Sequence, residues 1–206
     1  MTDTFIERLI ERHAQGLPGR PFQLKKAVLA RYKTMDAPPT ARQSAVLILL
    51  FRKTNEWHVV LTERVGNPND PHSNQISFPG GSLEAADASL EACALRETHE
   101  EVGISPEKVK IIGKMTDLYI PVSNFFVQPY LGWTSEPPQY QRQPTEVKNI
   151  LEVPLSILAN IDNHKFADIQ VRGMTLPNVP YFDVNGKIVW GATAMMLSEL
   201  LEILPL

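Results

Sequence analysis

The chain of 206 residues contains one cysteine, Cys93, so no disulfide can form within it. A lone thiol suits a reducing compartment, and the expected location is cytoplasmic. Long hydrophobic runs are missing too. The longest, residues 45–51, is far too short to span a bilayer and reads as a buried strand. Charges interrupt Phe5-Ile6-Glu7-Arg8-Leu9-Ile10, which argues against a signal peptide. Nor is there an excess of positive charge: 20 Lys and Arg face 23 Asp and Glu, a formal net charge of −3. That balance gives no basic face of the kind that neutralises phosphates along a nucleic acid. Neither a nucleic acid nor a membrane is expected as partner. A small phosphorylated ligand stays compatible, because a bound metal inverts the local field.

The residues that are present form an ordinary globular mixture, 43% hydrophobic and 21% charged, enough to bury one core with appendages. An amphipathic helix is expected over residues 4–14, with Phe5, Leu9 and Ile10 on one side. The proline-containing stretch 16–40 reads as connecting segments. Residues 44–51 and 57–64 are strand-like and flank a hairpin turn at Lys53-Thr54-Asn55. A polar loop over 66–74 precedes the short strand Gln75-Ile76-Ser77-Phe78, which enters Pro79-Gly80-Gly81. The strongest helix lies between about 88 and 102, with Asp87 as N-cap and Gly103 as its stop. Strands near 109–117 and 125–133 follow, then a loop from 137 to about 146 and a short helix over 154–159. Asn185-Gly186 predicts a hairpin between 181–184 and 187–190. A helix over about 192–203 ends the chain. No repeat and no composition break marks a second domain. The expectation is a mixed sheet with helices on both faces.

Chemistry concentrates in the helix near 88–102. At about 100° per residue, Glu97, Glu100 and Glu101 share one arc, and Ala94, Leu95, Thr98 and Val102 share the neighbouring one. Like charges at this spacing destabilise a helix, and only Arg96 is close enough to compensate, pairing with Glu100 at i+4. Two readings are open. The stripe is either a solvated acidic face or a seat for a hard cation, for which carboxylate oxygens select Mg²⁺ or Mn²⁺. The Gly80-Gly81 pair taken alone is an ordinary turn. Joined to a strand before it and the acid-striped helix after it, it lets backbone approach a ligand closely.

The run Arg96-Glu97-Thr98-His99-Glu100-Glu101-Val102-Gly103-Ile104 resembles the second half of the Nudix motif, R-E-U-x-E-E-x-G-U, with U aliphatic; Thr98 stands at an aliphatic position. The first half is altered. Gly81 and Asp87 keep the glycine-to-acid spacing only with one residue inserted before Arg96, and Asp87 replaces glutamate. That form is similar to the coenzyme A diphosphatase branch of the superfamily. Phe78-Pro79-Gly80-Gly81, Glu84 with Asp87, and Ala94-Leu95-Arg96-Glu97 follow the branch pattern. Upstream, Leu61-Thr62-Glu63-Arg64 and then His72 resemble the segment associated with coenzyme A recognition. Near the end, Ile188-Val189-Trp190-Gly191-Ala192-Thr193-Ala194 is close to the branch's apolar-Trp-Gly-x-Thr-Ala ending. The loop before the turn departs from the pattern: Val65 follows the arginine, no Lys or Arg occurs between 66 and 71, and Asn74 replaces a glycine.

The resemblance implies an α/β protein of α+β type with the Nudix fold, a mixed sheet sandwiched between helices. An extra N-terminal helix and connecting segment would occupy 1–40 and the hydrolase domain 41–206. It implies metal-dependent hydrolysis of the diphosphate of coenzyme A or its derivatives, giving 4′-phosphopantetheine and 3′,5′-ADP. By the same resemblance Glu97 and Glu101 are the primary ligands of Mg²⁺ or Mn²⁺, with Glu100 and the Gly81 carbonyl as further ligands. Arg96 orients Glu100. Glu100 and Glu146 are both candidates for general base, and Glu146 is alternatively a solvated loop acid. Arg64, His72, Phe78, Gly80 and Gly81 are the substrate-binding candidates, though a structural role for His72 is also open. Cys93 reads as a packing residue and Trp190 as a core aromatic. The competing readings are a Nudix hydrolase of ADP-ribose, a dinucleotide or a nucleoside triphosphate, and a catalytically silent nucleotide-binding module. A homodimer is a candidate assembly that no residue pattern decides.

Overall fold

Strand β1, Arg42–Lys53, has apolar side chains on both of its faces, and two layers of helices cover them. The structure, a computed structural model, describes residues 4–28, 36–66, 75–171 and 173–206. Ile48 and Leu50 pack into one core cluster, whereas Ala45, Leu47, Leu49 and Phe51 pack into another with Cys93, Ala94 and Tyr130. A strand buried on both sides loses the polar alternation of a half-exposed one, which explains the continuous apolar run.

Strand β2, Glu56–Arg64, returns antiparallel to β1 across a turn in which Thr54 and Asn55 both have positive φ, 50° and 65°. Such turns match the twist of the strands they join. The short strands β3, Ile76–Ser77, and β4, Gly80–Ser82, follow, then β5, Lys110–Lys114, and β6, Leu118–Ile120. Strand β7, Phe125–Trp133, lies parallel to β1, with Arg42 opposite Phe125 and Leu50 opposite Trp133. Strand β8 is Val147–Pro154. Among the described residues these strands make one mixed sheet in the order β3-β2-β1-β7-β5, with β4 added to β1, β6 to β7 and β8 to β2. A second sheet has β10, Met174–Val184, between β9, His164–Val171, and β11, Lys187–Trp190. Asn185 and Gly186 make the expected turn at φ 53° and 83°.

Helix α1 is Thr4–Ala14, α2 is Arg20–Leu24, α3 is Leu90–Val102, α4 is Leu155–Ala159 and α5 is Gly191–Ile203. Helix α3 covers the Ala45 and Leu47 face of β1, while α1 and α5 close the opposite face. The mixed sheet between helices is therefore as expected. Several elements differ from the sequence reading. Helix α2 interrupts the 16–40 connection, starting at Arg20-Pro21, where the missing proline N–H costs nothing. Strand β8 adds to β2 although its apolar residues hardly alternate, and β9 is largely exposed. Such weakly patterned strands are recruited by a sheet edge rather than by their own periodicity. Among the described residues no helix is long and apolar enough to cross a membrane.

The N-terminal segment shares the core. Ile6 and Leu9 are fully buried and Phe5 stacks on Trp57 with ring centroids 4.8 Å apart. The buried carboxylate of Glu199 on α5 accepts from the Gly19 N–H at 3.2 Å, from Gln23 Nε2 at 3.0 Å and from the Thr116 hydroxyl. Replacing Glu199 with alanine strands three donors in the interior. We expect a loss of about 2–3 kcal/mol, seen as a melting temperature lower by roughly 5–10 °C. An unchanged melting curve would remove this network from the stability of the fold.

Candidate functional site

The turn Gly80-Gly81 is compressed between a strand and a helix. Strand β4 pairs antiparallel with β1, Val46 opposite Gly80 and Ala45 opposite Gly81. At Gly80 φ is 153°, and a Cβ would stand 2.4 Å from the Ala45 carbonyl oxygen, so only glycine is tolerated. A Cβ on Gly81 would stand 2.4 Å from the Glu97 carboxyl carbon. Glycine here lets a carboxylate lie directly against main chain.

Helix α3 begins two residues later than expected. Ser89 is the N-cap, its hydroxyl accepting from the Ala92 N–H at 3.1 Å, and Gly103 ends the helix at φ 77°. The expectation that Asp87 caps the helix is corrected. Its carboxylate meets the Arg96 guanidinium in a two-pronged pair, Nε at 2.8 Å and Nη2 at 2.9 Å, and accepts from the Glu84 N–H at 2.9 Å. Arg96 holds the Asp87 carboxyl down at about 2. The expected Arg96–Glu100 pair is present at 2.9 Å, and the same guanidinium reaches Glu97 at 3.0 Å and the Ser82 carbonyl at 3.1 Å.

The remaining acids gather at the same end of the sheet. Glu101 is 3% exposed; its carboxylate accepts from the Gly80 N–H at 3.2 Å and lies 3.8 Å from Arg64 Nη1. Burial pushes the Glu101 carboxyl up to about 7; Arg64 and the Gly80 N–H oppose this, and the charges of Glu97 and Glu146 add to it. Glu97 is also raised, by burial first, against the pull of Arg96. Glu100 and Glu146 are exposed. The Glu146 loop is pinned in place, because the Gln141 and Gln143 N–H groups donate to the last carbonyls of α3 and the Val65 N–H donates to the Glu146 carbonyl. Glu146 is thereby brought from a distant loop near enough for its charge to raise Glu97 and Glu101 further. Among the described residues no three His, Cys, Asp or Glu side chains already converge on a single cation position. Arg96 holds Glu97 and Glu100, and the Gly80 N–H holds Glu101.

Beside these acids opens a cavity of about 400 Å³, lined by Arg64, Phe78, Gly80 and Gly81. Phe78 is 2% exposed and forms wall rather than an extended arm. His72 lies outside the described residues. Trp190, read from sequence as core, lines the cavity, as do Arg42 and Ser123, which the sequence reading passed over. Cys93 sits beneath the turn, its Sγ 3.6 Å and 3.4 Å from the Gly81 and Ser82 carbonyls, and burial pushes its thiol up to about 11. A thiol held protonated in this way packs rather than attacks.

Strand, glycine turn and acid-striped helix in this geometry define a class of protein before any individual one. Residues 41–170 match the NUDIX domain family. The chain is 39% identical over 177 residues to an uncharacterized Nudix hydrolase, NudL, of Enterobacter sp. (strain 638), covering 86% of this chain and 90% of that one. A NudL of Citrobacter koseri is 36% identical over 159 residues, covering 77% of this chain and 81% of its own length. A solved MutT/nudix family protein of Enterococcus faecalis is similar at 15% identity and a TM-score of 0.49, over 97% of this chain and 74% of that one. The chain belongs to the Nudix family. It is a hydrolase of diphosphate bonds in nucleoside-diphosphate derivatives, in a family that generally uses divalent metals.

The raised Glu101 carboxyl fixes the sign of a pH effect. Its proton is held more tightly in the fold than in the unfolded chain, where the ordinary value is 4.5. The contribution to stability is therefore complete below about 4.5 and is lost as pH rises through about 7. Without added metal, the melting temperature is expected to fall between pH 5 and pH 8, and Glu101→Gln to flatten that fall. A variant with the wild-type slope would assign the pH dependence to another group. Asp87 acts oppositely: its contribution is present above its ordinary 3.8 and disappears as pH falls through about 2. Asp87→Asn is expected to cost about 1.5–3 kcal/mol in thermal unfolding at neutral pH.

Proposed function

We propose that this enzyme cleaves the diphosphate of coenzyme A or its derivatives, giving 4′-phosphopantetheine and 3′,5′-ADP. One observation carries the reading. The segment Leu61-Thr62-Glu63-Arg64 and the turn Phe78-Pro79-Gly80-Gly81, separate in sequence, meet where Arg64 stands 3.8 Å from Glu101 on the rim of one cavity. The two stretches that resemble the coenzyme A diphosphatases thus share one place with the acids of the Nudix motif.

The donor set suits a hard divalent ion, Mg²⁺ or Mn²⁺: carboxylate oxygens of Glu97, Glu101 and Glu100, and the Gly81 carbonyl. Burial raises Glu97 and Glu101, and the neighbouring acids add to it. When bound, such an ion would supply positive charge against the phosphoryl oxygens and lower the pKa of a water. Arg96 orients Glu97 and Glu100, and Asp87 orients Arg96 in turn. Arg64 adds a fixed cation beside the cavity for a phosphate oxygen. Glu100 is engaged by Arg96, whereas the Glu146 carboxylate has no ion pair among the described residues and its charge acts on the other acids. Glu146 is accordingly the favoured base, with Glu100 as the alternative. The absence of Lys and Arg from residues 66–74 keeps ADP-ribose, a dinucleotide or a nucleoside triphosphate as a second reading.

Incubation with coenzyme A and Mg²⁺, followed by product analysis, is expected to yield 4′-phosphopantetheine and 3′,5′-ADP. No turnover of coenzyme A or its acyl forms, with cleavage of ADP-ribose, would install the second reading. Glu101→Gln is expected to lower kcat at least about a hundredfold while the protein still folds, the scale of losing one charge-stabilising group. Retained turnover would overturn the metal assignment. Glu146→Gln against Glu100→Gln, compared by kcat at constant KM, decides the base.

A further inference from the structure

The cavity has a second cationic position that the proposed chemistry leaves unused. Along β1 the residues Arg42, Ser44 and Val46 line the cavity, while Ala45 and Leu47 between and beyond them pack under α3. This is the two-residue alternation of a strand. Arg42 is held in position. Its N–H donates to the Asn124 carbonyl at 2.9 Å, its Nη2 donates to the Ser123 carbonyl at 3.1 Å, and its guanidinium carbon lies 4.0 Å from the centre of the Phe125 ring. The turn that receives it is braced from behind, since Asn124 Nδ2 donates to the Thr40 carbonyl and Asn124 Oδ1 accepts from the Tyr119 hydroxyl, both at 3.0 Å. Ser123 and Phe125 line the same cavity.

Two groups here have unmet polar capacity. Among the described residues no carboxylate forms an ion pair with Arg42, in contrast to Arg64 beside Glu101 and Arg96 among three acids. A guanidinium has five N–H donors; the Ser123 carbonyl takes one of them, and the exposed position of Arg42 leaves others open to a ligand. Among the described residues the buried Ser123 hydroxyl oxygen has no hydrogen-bond partner. A pinned arginine without a counter-ion, next to an orphaned hydroxyl in the wall of a cavity, is the arrangement that an oxyanion completes.

We propose that Arg42 and Ser123 form a specificity subsite for a phosphomonoester that the substrate carries apart from its scissile diphosphate. The inference rests on the function proposed above and narrows the substrate class to nucleoside-diphosphate derivatives with an additional phosphate on the nucleoside. Geometry sets the separation. Ala45 is opposite Gly81, and Arg42 is three residues further along the strand, roughly 10 Å at the rise of an extended chain. That is about one nucleotide from the turn, too far for the diphosphate under attack. Val127, opposite Ser44 on the neighbouring strand, provides an apolar wall between the two ends. The planar guanidinium fork matches two phosphate oxygens, which a lysine cannot do.

The test compares wild type, Arg42→Gln and Arg42→Lys in two assays. The first measures kcat and KM for coenzyme A and 3′-dephospho-coenzyme A. The second measures calorimetric binding of adenosine 3′,5′-bisphosphate and of AMP. Wild type is expected to bind the bisphosphate about tenfold or more tightly than AMP, the scale of a charge-assisted pair. Arg42→Gln is expected to erase that preference, to raise KM for coenzyme A by the same factor with kcat unchanged, and to leave dephospho-coenzyme A unaffected. Arg42→Lys should keep part of the preference and serves as the folded control if the glutamine variant melts early. A wild type without the preference, or a glutamine variant that retains it, overturns the subsite. If neither coenzyme is cleaved, the proposed function fails, and the bisphosphate-to-AMP ratio still decides the role of Arg42.

Discussion

Helix α3 turns several carboxylates toward one end of the sheet, where each raises the cost of ionising the next, and a single guanidinium makes the arrangement tolerable. Arg96 grips Asp87 with two prongs, then reaches Glu97, Glu100 and the Ser82 carbonyl. It thereby ties the loop after the glycine turn to the face of the helix. Without that clamp the acids would spread and the turn would lose its support. With it, Glu101 is left buried and only partly compensated by Arg64, so its proton is retained up to about 7. The cluster holds like charges close together against their repulsion.

The arrangement is sustained because its frame is rigid. Strand β1 is covered on both faces, and β4 lies against it with glycine where any side chain would collide with main chain. The helix behind the turn ends in carbonyls that the Gln141 and Gln143 N–H groups satisfy, and this same contact delivers Glu146. Each functional candidate is thus held by an element that also closes the core. On the opposite face the buried Glu199 network fastens the N-terminal segment to α5.

Much of this frame was legible in the amino-acid order. Helix α1 and strand β7 fall on the expected residues, and both Asn-containing hairpin turns form where a hairpin was expected, with positive φ. Local chemistry suffices there, since turn residues and periodic apolar positions act within a few residues. Strand β8 was not legible, because its partner β2 lies some 90 residues away and its own alternation is poor. Asp87 misled for a related reason. It is a good cap, but Ser89 is nearer the first turn, and Arg96, nine residues on, offers the acid a stronger partner.

By itself the sequence determined the family and the stripe of acids, because a motif of fixed spacing on a helix of fixed pitch places Glu97, Glu100 and Glu101 together in any fold that keeps the helix. Tertiary structure alone decided which groups answer them. Arg64 and the Gly80 N–H reach Glu101, and the charge of Glu146 acts on it, through loop and sheet contacts that no local pattern encodes. Arg42 meets Ser123 and Phe125 only because β1 and β7 run parallel. Helical spacing is a property of neighbours along the chain, whereas the cavity and its charges come from strands paired across the whole of it.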